Sequence, residues 1–420
     1  WVLAAPRLGA GVGGLRCRFG MPGGRPRGGA DVIEASALRG GRMSITVGLR
    51  AAFINAFSIG VGASVGREGP AVHFGAALAS GVAKRLHLTR ALSRTLLGCG
   101  VAAAVAASFN APIAGALFAG EVVIGHYALK TFAPVVIASV TGTAVSRAFY
   151  GDFPAFALPP HAISSYLELP AFALLGVLGG LIASALMAGI FRTQDLAPRL
   201  PGPTFLHPAF GGFAVGLIAL VLPQVMGVGY GATDDALLGQ MGVWLLLAIL
   251  LAKMVATILS LGLGFGGGIF SPSLMVGAML GGVYGIIATS LVPAVDAGIG
   301  AYTLVGMGAV AAATLGAPIS TTLIIFEMTG DYELTLGVML AVVVSTGITR
   351  QLLGRTFFTM QLERRGVALP GGAAAQLPRA RVVAYDSVGS VATVGSGRPV
   401  SQVGLMFGSC RARGCRGARW

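Results

Sequence analysis

Apolar residues run along this chain in long blocks with few polar interruptions. Examples lie at about Ala171–Ile190, Gly211–Pro223, Trp244–Leu261, Leu304–Phe326 and Leu336–Ile348. Roughly 20 apolar residues in helical form cross a bilayer. Several of these blocks are shorter than that or are cut by Gly and Pro. The pattern predicts an all-α polytopic membrane protein whose helices are tilted or discontinuous.

The chain also repeats itself. Ser58-Ile59-Gly60-Val61-Gly62 matches Ser260-Leu261-Gly262-Leu263-Gly264 at an offset of 202 residues. At that offset Gly66 meets Gly268, Pro70 meets Pro272, Gly75 meets Gly277 and Leu78 meets Leu280. Further on, Ala111-Pro112-Ile113 matches Ala317-Pro318-Ile319, and Glu121 matches Glu327, at an offset of 206. Each copy reads as an apolar helix, a Gly-rich loop, and a second helix with Pro in its first turn. The expected organisation is an irregular, truncated Gly/Arg-rich segment over 1–30 and two membrane repeats over 31–168 and 169–366. A poorly ordered tail over 367–420 would follow. Inverted orientation of the halves is the natural expectation for helical transporters.

Composition agrees. Hydrophobic residues make up 55% and charged residues 10% of 420, against roughly a quarter charged in soluble domains. Mean hydropathy is +0.82. The net charge of +14 sits largely in the end segments, at Arg7, Arg16, Arg18, Arg25 and Arg27 and at Arg411, Arg413, Arg416 and Arg419. Anionic lipid headgroups explain this better than nucleic acid, which is not expected as a partner. Four cysteines, Cys17, Cys99, Cys410 and Cys415, show no disulfide or zinc spacing. Gly262–Gly267 fits a dinucleotide fingerprint but lies in a membrane-like run without βαβ context. No histidine has metal-ligand spacing, and no nucleophile has its base. No cofactor and no enzymatic activity are expected.

The chemistry gathers at the repeated loops, Gly66-Arg67-Glu68-Gly69-Pro70 and Gly268-Ile269-Phe270-Ser271-Pro272. Glycines let the backbone turn and leave N–H groups open. A helix starting here presents unpaired N–H groups and the positive end of its dipole. Two such ends would hold an anion without a fixed cation, and so would let it leave again. Glu68 is itself an anion at such an end. It reads either as a gate and proton carrier or as a carboxylate that stabilises the helix dipole. Arg67 reads either as an attractor at the pore mouth or as the partner of a carboxylate. Glu121 and Glu327, at matched positions, read as architectural. Lys253 is expected to snorkel to an interface, and Asn55 and Asn110 to bond between helices.

These two loops resemble signature loops of the CLC family of chloride channels and chloride/proton antiporters. Val32-Ile33-Glu34-Ala35, Leu38-Arg39-Gly40-Gly41 and Phe326-Glu327-Met328-Thr329-Gly330 are similar to that family as well, so the resemblance covers about residues 31–366. It implies a homodimer with one pore per subunit, each pore built from inverted halves. The short tails point to a cell membrane of prokaryotic (inner-membrane) type. The resemblance also implies that Glu68 is the gate. The implied chloride-binding residues are Gly66, Arg67, Glu68, Gly69, Gly268, Ile269, Phe270 and Phe358.

Three departures bear on mechanism. The family's Ser-containing loop is matched by Pro26-Arg27-Gly28-Gly29-Ala30, which has no Ser. The inner-gate tyrosine is matched by Phe358, which keeps the ring without the hydroxyl. The inner proton-relay glutamate of many antiporters is matched by Val122. On these residues the expectation is a glutamate-gated chloride channel. A proton-coupled antiporter and a truncated, non-conducting chain are the alternatives.

Overall fold

The computed structural model describes residues 6, 13, 14, 20, 21, 23–152, 156, 168–292 and 297–367. Fifteen α-helices are used below. In the first half, α1 is Gly29–Leu38, α2 Ile45–Gly60, α3 Glu68–Arg85, α4 Arg90–Phe109, α5 Pro112–Phe118 and α6 Leu129–Tyr150. Two linking helices follow, α7 Glu168–Leu196 and α8 His207–Val221. In the second half, α9 is Tyr230–Leu237, α10 Val243–Gly262, α11 Phe270–Leu291, α12 Ile299–Leu315, α13 Pro318–Thr329 and α14 Tyr332–Leu353; α15, Phe357–Glu363, closes the series.

The order α1 to α6 returns as α9 to α14, so the sequence repeat is a structural one. The slip in offset from 202 to 206 has a simple origin. α3 has 18 residues and α11 has 22, and the four extra residues are about one helical turn, which nearly preserves the facing of the helix. Equivalent glycines make equivalent crossings in both halves. A Cβ on Gly75 would stand 2.4 Å from the Gly100 carbonyl oxygen, and one on Gly277 would stand 2.3 Å from that of Gly306. α3 therefore packs on α4, and α11 on α12, with backbones nearly touching, as small residues permit in apolar surroundings.

Seven stretches among the described residues are long and apolar enough to cross a membrane. α2, α5 and α12 are shorter apolar helices, as expected where the sequence interrupts its apolar blocks. α12 is buried along nearly its whole length, from Gly300 to Leu315. α5 runs on into a π-helical turn over Ala119–Ile124.

Two expectations change. Within 1–30, Pro6, Gly13, Gly14 and Gly20 are helical rather than irregular, and α1 starts at Gly29; the rest of residues 1–19 lies outside the described residues. The tail, apart from Val367, also lies outside them. Lys253 does not snorkel: its side chain is fully buried, and its ammonium donates to the carbonyls of Val225 (3.0 Å) and Gly227 (2.8 Å). Two backbone acceptors in the fold's interior take two of its N–H donors there, so the side chain turns inward instead of reaching for an interface.

Candidate functional site: a cavity between the two halves

The two repeated loops meet. Gly66 N–H donates to the Gly268 carbonyl at 2.7 Å and Gly268 N–H returns the bond to Gly66 at 2.8 Å, an isolated antiparallel bridge. The bond is reciprocal, as a local two-fold relation between the halves requires. Space for a side chain is tight on both sides. A Cβ on Gly268 would lie 3.0 Å from the Gly69 nitrogen, and one on Gly66 3.1 Å from the Ser271 nitrogen. Ser64 extends the seam, with its N–H donating to Ser260 Oγ (3.2 Å) and its hydroxyl bonded to that of Thr257 (3.1 Å). The bridge sets the starting points of α3 and α11 side by side.

Glu68, first residue of α3, is 3% exposed. Its Oε1 accepts from the Tyr230 hydroxyl at 2.8 Å, and its Oε2 accepts from the Ser271 hydroxyl. Ser271 stands in the first turn of α11, so a carboxylate of one half is seated on the helix start of the other. Arg67 is half exposed. Its Nε lies 3.9 Å from Glu68 Oε1 and its guanidinium covers the Tyr230 ring at 4.8 Å. The Phe156 ring packs against the same ring, tilted to it, with centroids 4.9 Å apart.

A cavity of about 330 Å³ opens beside Glu68. Of the residues expected at the anion site, Glu68, Gly69, Gly268, Ile269, Phe270 and Phe358 border it; Gly66 and Arg67 do not. Gly66 is occupied in the bridge and Arg67 faces Tyr230. Phe358, one residue into α15, lies over the start of α1: a Cβ on Gly29 would meet its ring at 2.9 Å. Val122 also borders the cavity, so the wall is aliphatic where a relay carboxylate was looked for.

The matched glutamates are reciprocal helix caps. Glu327 accepts from the N–H groups of Ile113 (2.8 Å) and Ala114 (2.7 Å) at the start of α5. Glu121 accepts from those of Ile319 (3.1 Å) and Ser320 (2.8 Å) at the start of α13. Each carboxylate fills the unpaired N–H groups and meets the dipole of the opposite half's helix. The architectural reading holds for both. Asn55 donates to the Arg27 carbonyl at 3.1 Å, tying α2 to the loop before α1. Asn110 bonds Asp152 (2.9 Å) and Arg147 (2.7 Å).

Sequence reasoning missed two hydroxyls, Tyr230 and Ser271. Ser271 stood inside a flagged loop and could have been weighed as a donor. Tyr230 comes to Glu68 from 162 residues away, and no local pattern marks it. Arg25 and Arg27, read as part of a lipid-facing basic end, instead border the cavity and bind Asp31.

The family model for voltage gated chloride channels matches residues 9–350. The chain belongs to this family. The match begins within the segment expected to be irregular. A putative chloride channel protein, ClcB-like, from Ralstonia nicotianae is 35% identical over 81% of this chain and 80% of its own length. Chloride channel protein CLC-f of Arabidopsis thaliana is 35% identical, over 68% of this chain and 39% of its own. The H(+)/Cl(−) exchange transporter ClcA of Salmonella agona is 32% identical, over 73% and 66%. The chain thus spans four fifths of one relative but less than two thirds of the other two. Among solved structures, a slow cyanobacterial Cl−/H+ antiporter superposes with a TM-score of 0.80 at 23% identity, covering 87% of this chain and 86% of its own. A CLC-type fluoride/proton antiporter superposes at 0.73 with 21% identity, over 86% and 88%. At such identity the likeness is one of fold.

Proposed function

We propose that this chain moves chloride across a membrane in exchange for protons, with the Glu68 side chain as the gate that both ions share. The observation that carries the reading is the seat of Glu68. Its carboxylate rests between two helix starts on two neutral hydroxyls, with no cation within hydrogen-bonding reach. Neutral donors hold a carboxylate less tightly than a paired guanidinium does. One proton on Glu68 cancels the attraction to both helix ends. The vacated seat then offers the same hydroxyl and N–H donors to a chloride arriving through the cavity. Gly69, Gly268, Ile269 and Phe270 supply backbone at that seat, and Phe358 narrows the cavity beside α1.

The first expectation was a passive channel. The names of the relatives and neighbours lean toward exchange, and so does the proton-accepting seat. Val122 and Phe358 favour the channel as the second reading, because an aliphatic wall carries no proton and a phenyl ring donates no hydrogen bond. Proton passage beside Val122 then needs water in the cavity. A homodimer in a prokaryotic inner membrane is the assembly proposed.

The test is chloride efflux from proteoliposomes with external pH followed at the same time, in wild type and Glu68→Ala. Efflux that drives proton uptake, with uptake abolished in Glu68→Ala, supports exchange. Efflux without proton movement establishes the channel. No efflux from folded protein removes both readings.

A further inference from the structure

α15 is a helix of seven residues that forms part of the cavity wall. Phe357, Gln361 and Arg364, spaced i, i+4 and i+7, border the cavity together, as one face of a helix does. Seven residues are too few to hold a helix by themselves, so the place of α15 depends on what grips it. At its start Phe357 is buried against Phe191 of α7, with ring centroids 5.5 Å apart. At its end two adjacent arginines reach in different directions. Arg364 donates to both oxygens of Asp195 on α7, at 2.6 and 2.9 Å. Arg365 turns to α1, where its Nη1 stands 3.3 Å from Asp31 Oδ1. Glu34, also on α1, attracts Arg365 as well. α15 is thus slung between α7 and α1.

Asp31 is itself firmly held. Its side chain is 3% exposed. Its Oδ2 accepts the Gly28 N–H at 3.0 Å at the start of α1, and its Oδ1 accepts from Arg25 and Arg27, each at 3.0 Å. One carboxylate therefore joins the loop before α1, the first turn of α1 and the end of α15. Charge-assisted bonds of this kind are short and directional, and burial strengthens them.

What the link holds in place is the gap between Gly29 and Phe358, both of which border the cavity. A Cβ on Gly29 would stand 2.9 Å from Phe358 Cε1, so the ring lies directly on the α1 backbone. Asp31 is two residues beyond Gly29. Seven residues, about two helical turns, separate Phe358 from Arg365, and both meet α1. We propose that Asp31 and Arg365 are positioning residues for the anion: by pinning α15 on α1 they set the gap at Phe358, and with it the size of halide that the cavity admits. Release of α15 lets the ring move off Gly29 and favours a larger ion. Passage of the ion rests on the transport reading above; the fit of an ion in the cavity does not.

The test compares iodide with chloride, which carry the same charge and differ in radius. Initial efflux of each from proteoliposomes is measured for wild type, Arg365→Gln, Arg365→Lys and Asp31→Asn. Arg365→Gln is expected to raise the iodide-to-chloride rate ratio severalfold. Arg365→Lys keeps a charge for Asp31 without the fork and should recover part of the wild-type ratio. Asp31→Asn should resemble Arg365→Gln; where it fails to fold, Arg365→Gln carries the test, since that side chain is 19% exposed. In Phe358→Ala, with no ring to place, adding Arg365→Gln should leave the ratio as it is. Calorimetric titration of the two halides into the full chain in detergent gives a ratio of affinities that needs no transport, and the same ordering of variants is expected. Where the chain transports, the flux ratio decides; where it does not, the affinity ratio does. A wild-type ratio in folded Arg365→Gln, or a rise of equal size on the Phe358→Ala background, overturns the proposal. Binding with the expected ordering but no efflux upholds the positioning pair and removes the transport reading. A chain that neither moves nor binds halide removes both.

Discussion

Replacing Tyr230 by Phe deletes one oxygen from the seat of Glu68 and little else. The ring stays placed, since the Phe156 ring packs against it with centroids 4.9 Å apart and Arg67 covers its face at 4.8 Å. What is lost is the 2.8 Å hydrogen bond to Oε1. A hydrogen bond to a charged group contributes about 1.5–3 kcal/mol, and Glu68 is buried enough that solvent does little to replace it. Each 1.4 kcal/mol is a factor of ten in an equilibrium. The ratio of seated to released Glu68 is therefore expected to fall by about ten- to a hundredfold. In proteoliposomes at neutral pH, Tyr230→Phe should raise the initial rate of chloride efflux severalfold and lower the protons moved per chloride. Glu68→Gln should abolish proton movement, and adding Tyr230→Phe to it should bring no further rise in rate. Wild-type rate and stoichiometry in folded Tyr230→Phe would refute the reasoning. So would a rate increase of equal size on the Glu68→Gln background, since the hydroxyl would then act on something other than the carboxylate.

Two further outcomes follow from the contacts between and within the halves. Glu327→Ala strands the N–H groups of Ile113 and Ala114 and should cost about 2–4 kcal/mol, seen as a lower thermal midpoint in detergent. Glu327→Gln, which retains one acceptor oxygen, should lose less, and equal midpoints for Ala, Gln and wild type would discard the cap. Lys253→Met keeps the length of the side chain but frees the Val225 and Gly227 carbonyls just ahead of Tyr230. It should lower the midpoint by a similar energy and loosen proton coupling in the direction of Tyr230→Phe. A stable variant with wild-type coupling would mean that the segment before α9 is held by other contacts.

How far the sequence carried depended on whether a feature was local. The loops at Gly66 and Gly268 announced themselves because glycine, Pro and a lone Glu within apolar runs are each costly without a purpose. The caps at Glu121 and Glu327 were legible for a related reason: the repeat placed them, and each acts on the equivalent turn of the other half. Tyr230 was not legible. It reaches Glu68 only through the pairing of the halves, and a tyrosine at a helix start carries no pattern. Lys253 was misjudged because its acceptors are two main-chain carbonyls, which no sequence displays. Arg25 and Arg27 were grouped with other arginines of a basic end, whereas Asp31, four residues beyond Arg27, draws them inward. Composition could not separate an arginine facing lipid headgroups from one lining a cavity.

The glycine bridge has a mechanical consequence. Gly66 and Gly268 are clasped by bonds in both directions, and a methyl group on either would crowd the backbone of the other loop. A hinge at either loop would have to break both bonds at once and carry the start of α3 or α11 with it. The mobile part of the proposed gate is thereby reduced to three torsions of the Glu68 side chain. Opening of that kind displaces a few atoms and leaves the helices where they are, so its tempo is set by the hydroxyls that Glu68 must release rather than by the stiffness of the scaffold.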